Sequence, residues 1–228
     1  PVAQLSGEQK DFPHANQRGL APEKLDLELL FLLLPGLGRG YRFLGDTKDA
    51  SGQIRSLLVL PLQNLSRDPD QEYFADGLTE ELIADLSKVR AMRVISRTSA
   101  MMYKGAKKSA PAIARELNVR YVMEGSVRRA GNSLRITAQL IDGATDAHLW
   151  AEKYAGTLDD VFDLQEKLSR QIVEALRLAL TPEESRRLAA RPIPDVRAYD
   201  AWLRARNEIW TLTPAGFDHA VQLLNRAL

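Results

Sequence analysis

Two turn sequences, Gly131-Asn132 and Asp142-Gly143, divide residues 119–154 into three short strand-like segments. In the first two segments apolar and polar side chains alternate, which is the period of a strand that buries one face. A Gly-Asn pair is typical of tight hairpins. We therefore predict an antiparallel meander of three strands, which are residues 119–128, 134–141 and 147–154.

The region before the meander alternates between strand and helix patterns. Residues 56–62 form a near-continuous apolar run, which indicates a buried strand. Residues 77–90 place apolar side chains at helical spacing, and residues 92–97 form a second short strand. Ser109 and Pro111 begin a further helix. The order strand, helix, strand, helix, meander predicts an α/β fold with a mixed sheet and two helices packed on it.

The chain after the meander is predicted to be all helical. Asp159 and Asp160 begin a long helix that runs to about Leu180, with a leucine or isoleucine at every fourth position. Thr181 and Pro182 have the residue types of an N-cap and a first helical position, so a short helix follows. Two amphipathic segments, 197–209 and 214–228, complete the chain.

Composition excludes several classes of function. The 228 residues include no cysteine, which removes disulfides, thiolate catalysis and cysteine metal sites. The formal net charge of +1 argues neither for nor against nucleic acid. The longest uncharged apolar run, Leu29–Leu34, is far shorter than the ~20 residues that span a bilayer. We expect no membrane span and a cytoplasmic location, with a periplasmic location as the alternative if an export signal precedes Pro1.

No pattern in the sequence predicts catalysis. The three histidines are far apart, and no metal-ligand spacing is present. Gly36, Gly38 and Gly40 form a GxGxG string, but it lacks the lysine and hydroxyl residue of a phosphate-binding loop. Adjacent carboxylates have simpler roles as turn formers and helix-start charges. We therefore predict no catalytic residue, no metal and no cofactor.

Two predicted loops are candidates for a ligand or partner site. The loop 63–76 carries Tyr73, Phe74 and Asp76, and the loop 97–108 carries Tyr103, Lys104 and Lys107. If their strands are parallel, both loops lie at the carboxyl edge of the sheet, where ligands usually bind. The alternative, in which the aromatic rings pack inside and the lysines are solvated, is favoured because aromatic side chains usually bury.

Residues 53–155 resemble a known bacterial module in the order of their motifs. The run is SLLVLPLQNLSRDPDQEYFADGLTEELIADLSKVRAMRVISRTSAMMYKG, followed by IARELNVRYVMEGSVRRAGNSLRITAQLIDGATDAHLWAEKYAG. It resembles the TolB-amino-terminal-like domain of bacterial winged-helix or adenylate cyclase-type regulators, in which it precedes tetratricopeptide (TPR) repeats. The resemblance implies a non-enzymatic module for regulation and protein interaction.

Two shorter resemblances flank this module. The piece GRGYRF, residues 38–43, resembles the wing of a winged-helix domain, which implies DNA contacts by Arg39, Tyr41 and Arg42. The tail resembles the start of a TPR array, with Ala220, Leu224 and Ala227 at small-large-small positions. Either further repeats are missing, or this helix pair packs back on the α/β domain.

These observations predict four segments. They are a poorly defined segment 1–52 with the wing remnant, the α/β domain 53–157, a helical connector 158–192 and a partial TPR-like hairpin 193–228. The predicted function is a regulatory module that binds a protein partner or a small ligand. The alternatives are a DNA-binding winged-helix regulator and a part of an adenylate cyclase-type signalling protein; a homodimer is left open.

Overall fold

The computed structural model describes residues 55–66, 68–191 and 193–225, and within them the chain forms one mixed sheet with α-helices. The strands are β1 Ser56–Val59, β2 Gln63–Asn64, β3 Arg93–Val94, β4 Tyr121–Ala130, β5 Ser133–Asp142 and β6 Ala147–Thr157. The helices are α1 Glu72–Leu86, α2 Arg97–Met101, α3 Ala110–Leu117, α4 Val161–Ala175, α5 Pro182–Leu188, α6 Val196–Ile209 and α7 Pro214–Asn225.

The sheet joins a parallel half to an antiparallel half. The strand order is β3-β1-β4-β5-β6, with β2 beside β4. β1 is parallel to β3 and β4, and β4, β5 and β6 form an antiparallel meander. Ala130 pairs with Ser133, and Gly131 takes the left-handed conformation with φ 59° in the turn between them. The predictions of a mixed α/β sheet and of a meander are confirmed.

Helices cover the two faces of the sheet unequally. The chain moves one way along the sheet from β1 to β3 and the opposite way from β3 to β4. Because connections between parallel strands are right-handed, this reversal places α1 and α3 on opposite faces. α1 packs on β1 and β2, and α4 packs on β5 and β6 beside it. We call the face under α1 and α4 the inner face, and the opposite face the outer face. On β5 the inner side chains Leu134, Ile136, Ala138 and Leu140 are buried, as their alternation predicts.

Helix α4 adds to the predicted pair of helices on the sheet. The sequence places residues 158–180 in a connector, but Leu168 and Ile172 are fully buried in the core. Burial of such a side chain contributes about 1.5–3 kcal/mol, which favours packing over an extended connector. The prediction of two packed helices is therefore incomplete. The helix is also shorter than predicted, because Arg177 takes a left-handed φ of 52° and ends it.

The region around the first predicted loop differs most from expectation. Residues 63–76 were expected to be a loop, but they contain strand β2, a 3₁₀ turn at Pro69–Gln71 and the first turn of α1. Leu62 donates its backbone N–H to Thr79 Oγ1 at 2.9 Å inside the protein, which holds the chain beside α1. The Asp68 carboxylate accepts from the N–H of Asp70 at 2.9 Å and begins the 3₁₀ turn. The loop prediction is wrong because these contacts form a strand and a helix start.

In the described part of the chain three helices follow α4, and the first of them, α5, packs on α4. The capping box of α5 is present as predicted, with Glu184 N–H donating to Thr181 Oγ1 at 3.2 Å. Helices α6 and α7 form a hairpin, and α6 packs on α1. Gly77 permits this approach, since a Cβ there would lie 2.6 Å from Leu203 Cδ2. Of the two alternatives for this pair, the structure shows it packed on the α/β domain.

Candidate functional site

The contact between α1 and α6 contains a polar cluster, Tyr73, Arg129, Asp200 and Arg204, which we call the latch. Asp200 lies at its centre. Its Oδ1 accepts from Tyr73 Oη at 2.7 Å and from Arg129 Nη1 at 2.5 Å. Its Oδ2 accepts from Arg204 Nε at 3.0 Å. Arg129 comes from β4, so the latch joins the sheet to two helices.

The charges of the latch are matched within the protein. Burial alone would raise the pKa of Asp200, but hydrogen bonds from Tyr73, Arg129 and Arg204 outweigh it and lower the pKa below its ordinary value of 3.8. Burial, with the hydrogen bond to Asp200, raises the pKa of Tyr73 well above its ordinary range. The Arg204 guanidinium also lies 4.4 Å from the centre of the Tyr73 ring. The latch is therefore an anionic carboxylate held by two cations and a neutral phenol.

A second set of contacts holds the far end of α6. The Arg206 side chain is only 3% exposed, and its Nη1 lies 2.7 Å from Glu81 Oε1. Its Nη2 donates to the carbonyl of Gly77 at 3.2 Å, and its guanidinium lies 4.0 Å from the Trp202 ring centre. Nearby, Arg97 pairs with Glu80 at 2.7 Å. The α1–α6 contact is thus rich in charged hydrogen bonds.

The predicted site residues of the first loop lie inside the protein. Tyr73 and Phe74 are 6% and 1% exposed in the first turn of α1, and their rings meet edge to face at 6.5 Å. This agrees with the alternative in which the aromatic rings pack inside. Phe74 is fully enclosed, so a ligand could not reach its ring without opening the core.

The second predicted loop is partly helical, because residues 97–101 form α2. Two candidate site residues from different predicted loops meet, with Lys104 Nζ 2.7 Å from Asp76 Oδ1. The same Nζ lies 2.8 Å from Glu72. Partial burial would lower the pKa of Lys104, but these two carboxylates outweigh it and raise the pKa. Tyr103 instead donates to Glu116 at 2.9 Å, and Lys107 is exposed.

The environments of Asp200 and Lys104 stabilise the charged form of each side chain. Asp200 already accepts three hydrogen bonds, and Lys104 is held in its charged form between two carboxylates. A general base works best with a pKa near the working pH, whereas the pKa of Asp200 is lowered, and a nucleophilic lysine needs a lowered pKa, whereas that of Lys104 is raised. Neither group meets these requirements. Within the described ranges, no group of three or more His, Asp or Glu side chains is placed to hold a metal ion.

The latch residues Arg129, Asp200 and Arg204 were not predicted. Two local patterns point to them. Arg129 falls on the inner, apolar side of β4 by strand alternation, and an arginine there needs an acidic partner. Asp200 and Arg204 are four residues apart, which is the spacing of an ion pair along a helix. The predicted DNA-contact residues Arg39, Tyr41 and Arg42 lie outside the described residues.

A comparison with protein families identifies the domain that contains this site. The family model "HilA/YgeH-like transcriptional regulator, second domain" matches residues 53–173, which is just over half of the chain. The chain belongs to this HilA/YgeH-like family. The match runs from before β1 into α4, so it includes the whole sheet of this regulator domain. In the part of the chain that the structure describes, no helix is long and apolar enough to cross a membrane.

Individual proteins are also similar to this HilA/YgeH-like chain. A protein named "Putative adenylate cyclase 3" from Rhizobium meliloti (strain 1021) is 49% identical over 173 residues, which cover 76% of this chain and 30% of that protein. The chain thus spans less than a third of that relative. TolB from Acinetobacter baumannii has 18% identity and a TM-score of 0.41, covering 54% of this chain and 28% of TolB. Lipoprotein GNA1162 from Neisseria meningitidis has 17% identity and a TM-score of 0.40, covering 54% of this chain and 97% of the lipoprotein.

Proposed function

We propose that this chain is a non-enzymatic, cytoplasmic regulatory module whose α6–α7 hairpin packs reversibly on the α/β domain. A protein partner or small ligand that binds only the packed or only the open form would shift the equilibrium between them. The observation that carries this proposal is the charged character of the α1–α6 contact, where Arg206 and Asp200 are held by residues of α1 and β4.

A charged contact suits reversible packing. Contacts between domains that separate are more polar than permanent ones. When the hairpin opens, Asp200, Arg204 and Arg206 gain water, which offsets much of the hydrogen bonding that they lose. An apolar contact of similar size would gain no favourable hydration on opening. The latch therefore lets a modest binding free energy change the position of α6.

The hairpin also exposes apolar side chains that a partner could cover. Trp210 and Phe217 are 39% and 42% exposed, and Leu212 and Val221 are 72% and 48% exposed. We propose that the hairpin is the first unit of a TPR-like array. The buried Ala220 supports this, because a small residue lets two helices approach closely. Units of such arrays bury their faces only by stacking on neighbours.

Hydrogen exchange tests the reversible packing. Amides of α6 and α7 should exchange through a lower free energy of opening than amides of β4 and β5. Asp200→Asn should speed exchange in the hairpin and leave the sheet unchanged. Arg187→Gln removes an exposed arginine that pairs with Glu183 inside α5, so it serves as the control. If hairpin and sheet exchange as one unit in every variant, the proposal is wrong.

A second candidate follows from the Rhizobium meliloti relative, whose name describes an adenylate cyclase. The chain would then be the regulatory part of a larger signalling protein of that type. Purified chain incubated with ATP and Mg²⁺ should form no cyclic AMP under this proposal. Formation of cyclic AMP by the chain alone would show that the non-enzymatic assignment is wrong.

A further inference from the structure

Two adjacent arginines on β4 have opposite environments. Successive residues of a strand point to opposite faces, so Arg128 and Arg129 lie on the outer and inner face. Arg129 joins the latch, and its side chain is 15% exposed. Arg128 is exposed, and its direct cross-strand neighbour on β5 is Arg135, which is also exposed. Two arginines therefore stand side by side on the outer face.

A third cation lies in the next row of the same face. Lys153 of β6 pairs with Thr137, which pairs with Ser126 of β4, two residues before Arg128. Lys153 is exposed like the two arginines. Among the described residues, none of these three side chains has an ion pair, a hydrogen bond or a ring contact. We call Arg128, Arg135 and Lys153 the basic face.

The fold provides no stabilising reason for this arrangement. Like charges directly opposite each other on antiparallel strands destabilise the sheet. Two other arginines at β4 do have carboxylate partners, Arg120 with Asp142 and Arg129 with Asp200. The two adjacent arginines, which lie near the β4–β5 turn, are therefore a feature that folding does not require. Arrangements that destabilise the fold locally are expected at binding sites.

We propose that the basic face binds an acidic, extended segment of a protein partner. Arginine forks match carboxylates in two-point geometry. Arg128 and Arg135 are direct cross-strand neighbours, about 4.5–5.5 Å apart at Cβ, and Lys153 is the diagonal neighbour of Arg135 at about 7–8 Å. An extended peptide with a carboxylate at every second residue spaces its charges about 6.6–6.8 Å apart, which is close to the diagonal from Arg135 to Lys153. Its backbone and side chains would also meet hydrogen-bonding groups on this face, since Ser126, Thr137 and Gln63 share one row.

The composition of the face favours an acidic peptide over nucleic acid. Single-stranded nucleic acid binds by stacking bases on aromatic rings as well as by phosphate contacts. Trp150 and Tyr154 of β6 pair with Leu140 and Ile136, so they belong to the inner face. The rows that hold the three cations contain aliphatic and polar side chains. The proposal rests on the partner-binding role proposed above, but it uses the face opposite to the latch.

Fluorescence anisotropy with a defined probe tests the proposal. The probe is a labelled dodecapeptide of alternating glutamate and threonine, and its matched control replaces each glutamate by glutamine. The glutamate peptide should bind the whole chain, and the affinity should fall as salt is raised. The double variant Arg128→Gln/Arg135→Thr should lose about tenfold in affinity, since each exposed arginine–carboxylate pair contributes about threefold to fivefold.

A charge-matched variant and a second probe separate the outcomes. Arg177→Asn/Arg186→Gln also removes two exposed arginines, and its affinity should stay within about twofold of wild type. The basic-face variant should unfold at the same temperature as wild type or higher, because a like-charge pair is removed. No binding, or equal binding by both variants, would overturn the proposal. Tighter binding of oligo-dT with the same arginine dependence would also overturn it, in favour of nucleic acid. Hydrogen exchange in α6 and α7 tests the reversible packing of the hairpin, so the result of that test does not depend on whether the acidic peptide binds.

Discussion

Replacement of Arg206 by methionine should weaken the attachment of α6 to α1. Methionine keeps an unbranched apolar stem of similar length, so packing against Trp202 is largely preserved. The charged contacts are lost. They are the pairs with Glu81 at 2.7 Å and Glu80 at 3.5 Å and the hydrogen bond to the Gly77 carbonyl at 3.2 Å.

The structure gives the size of the effect. A hydrogen bond to a charged group contributes about 1.5–3 kcal/mol, and a desolvated cation–π contact contributes up to about 2 kcal/mol. Glu81 keeps a fifth of its side chain exposed, so it regains water after the substitution, and methionine burial offsets part of the loss. We therefore expect Arg206→Met to cost about 3 kcal/mol, at the lower end of the range for a buried pair that loses one partner.

The assay distinguishes local opening from global unfolding. If the hairpin opens alone, exchange of α6 amides should accelerate by about 100-fold, since each 1.4 kcal/mol is a factor of ten. If it unfolds with the domain, the melting temperature should fall by about 6–12 °C. Arg197→Met changes an exposed arginine on the same helix and should alter stability by no more than about 0.5 kcal/mol. An Arg206→Met cost equal to that of Arg197→Met would refute the reasoning.

Three further changes probe separate parts of the structure. Gly216→Ala should destabilise the hairpin by about 1–3 kcal/mol, because a Cβ there would lie 2.6 Å from the Glu208 carbonyl oxygen; urea unfolding measures this. Thr181→Ala should lower the free energy of unfolding by about 1 kcal/mol because the N-cap of α5 is lost, whereas Thr181→Ser should keep most of that stability. The pKa of Asp200 is lowered in the folded chain, so its stabilising effect is present above the ordinary value of 3.8 and is lost as the pH falls through the lowered value. Asp200→Asn should therefore flatten the acid-side fall of the urea midpoint, and an unchanged slope would contradict the latch.

Features that depend on neighbouring residues could be predicted from the sequence. The meander follows from side-chain alternation and the Gly131-Asn132 turn, and the start of α5 follows from Thr181 and Pro182. The turn and the helix cap each involve residues only a few positions apart, so the types of those residues are enough to predict them. The buried face of β5 is equally local, because period-two alternation fixes which side chains share a face.

Features that need a distant partner could not be predicted. β2 has two residues and exists because β4 offers it a parallel neighbour, with Gln63 opposite Ser126. Residues 72–76 contain charged and polar residues that resemble a loop, yet they form a helix once Tyr73 and Phe74 are buried. Long-range burial here outweighs the weak local preference of the segment.

The latch shows the same division within one strand. Strand alternation assigns Arg128 and Arg129 to opposite faces from the sequence. The partner of Arg129 is Asp200, 71 residues later, and no local pattern specifies that distance. It is set by the packing of α6 on α1, which brings the carboxylate to the arginine. The physical reason is that a buried charge requires a partner but does not specify where in the chain that partner lies.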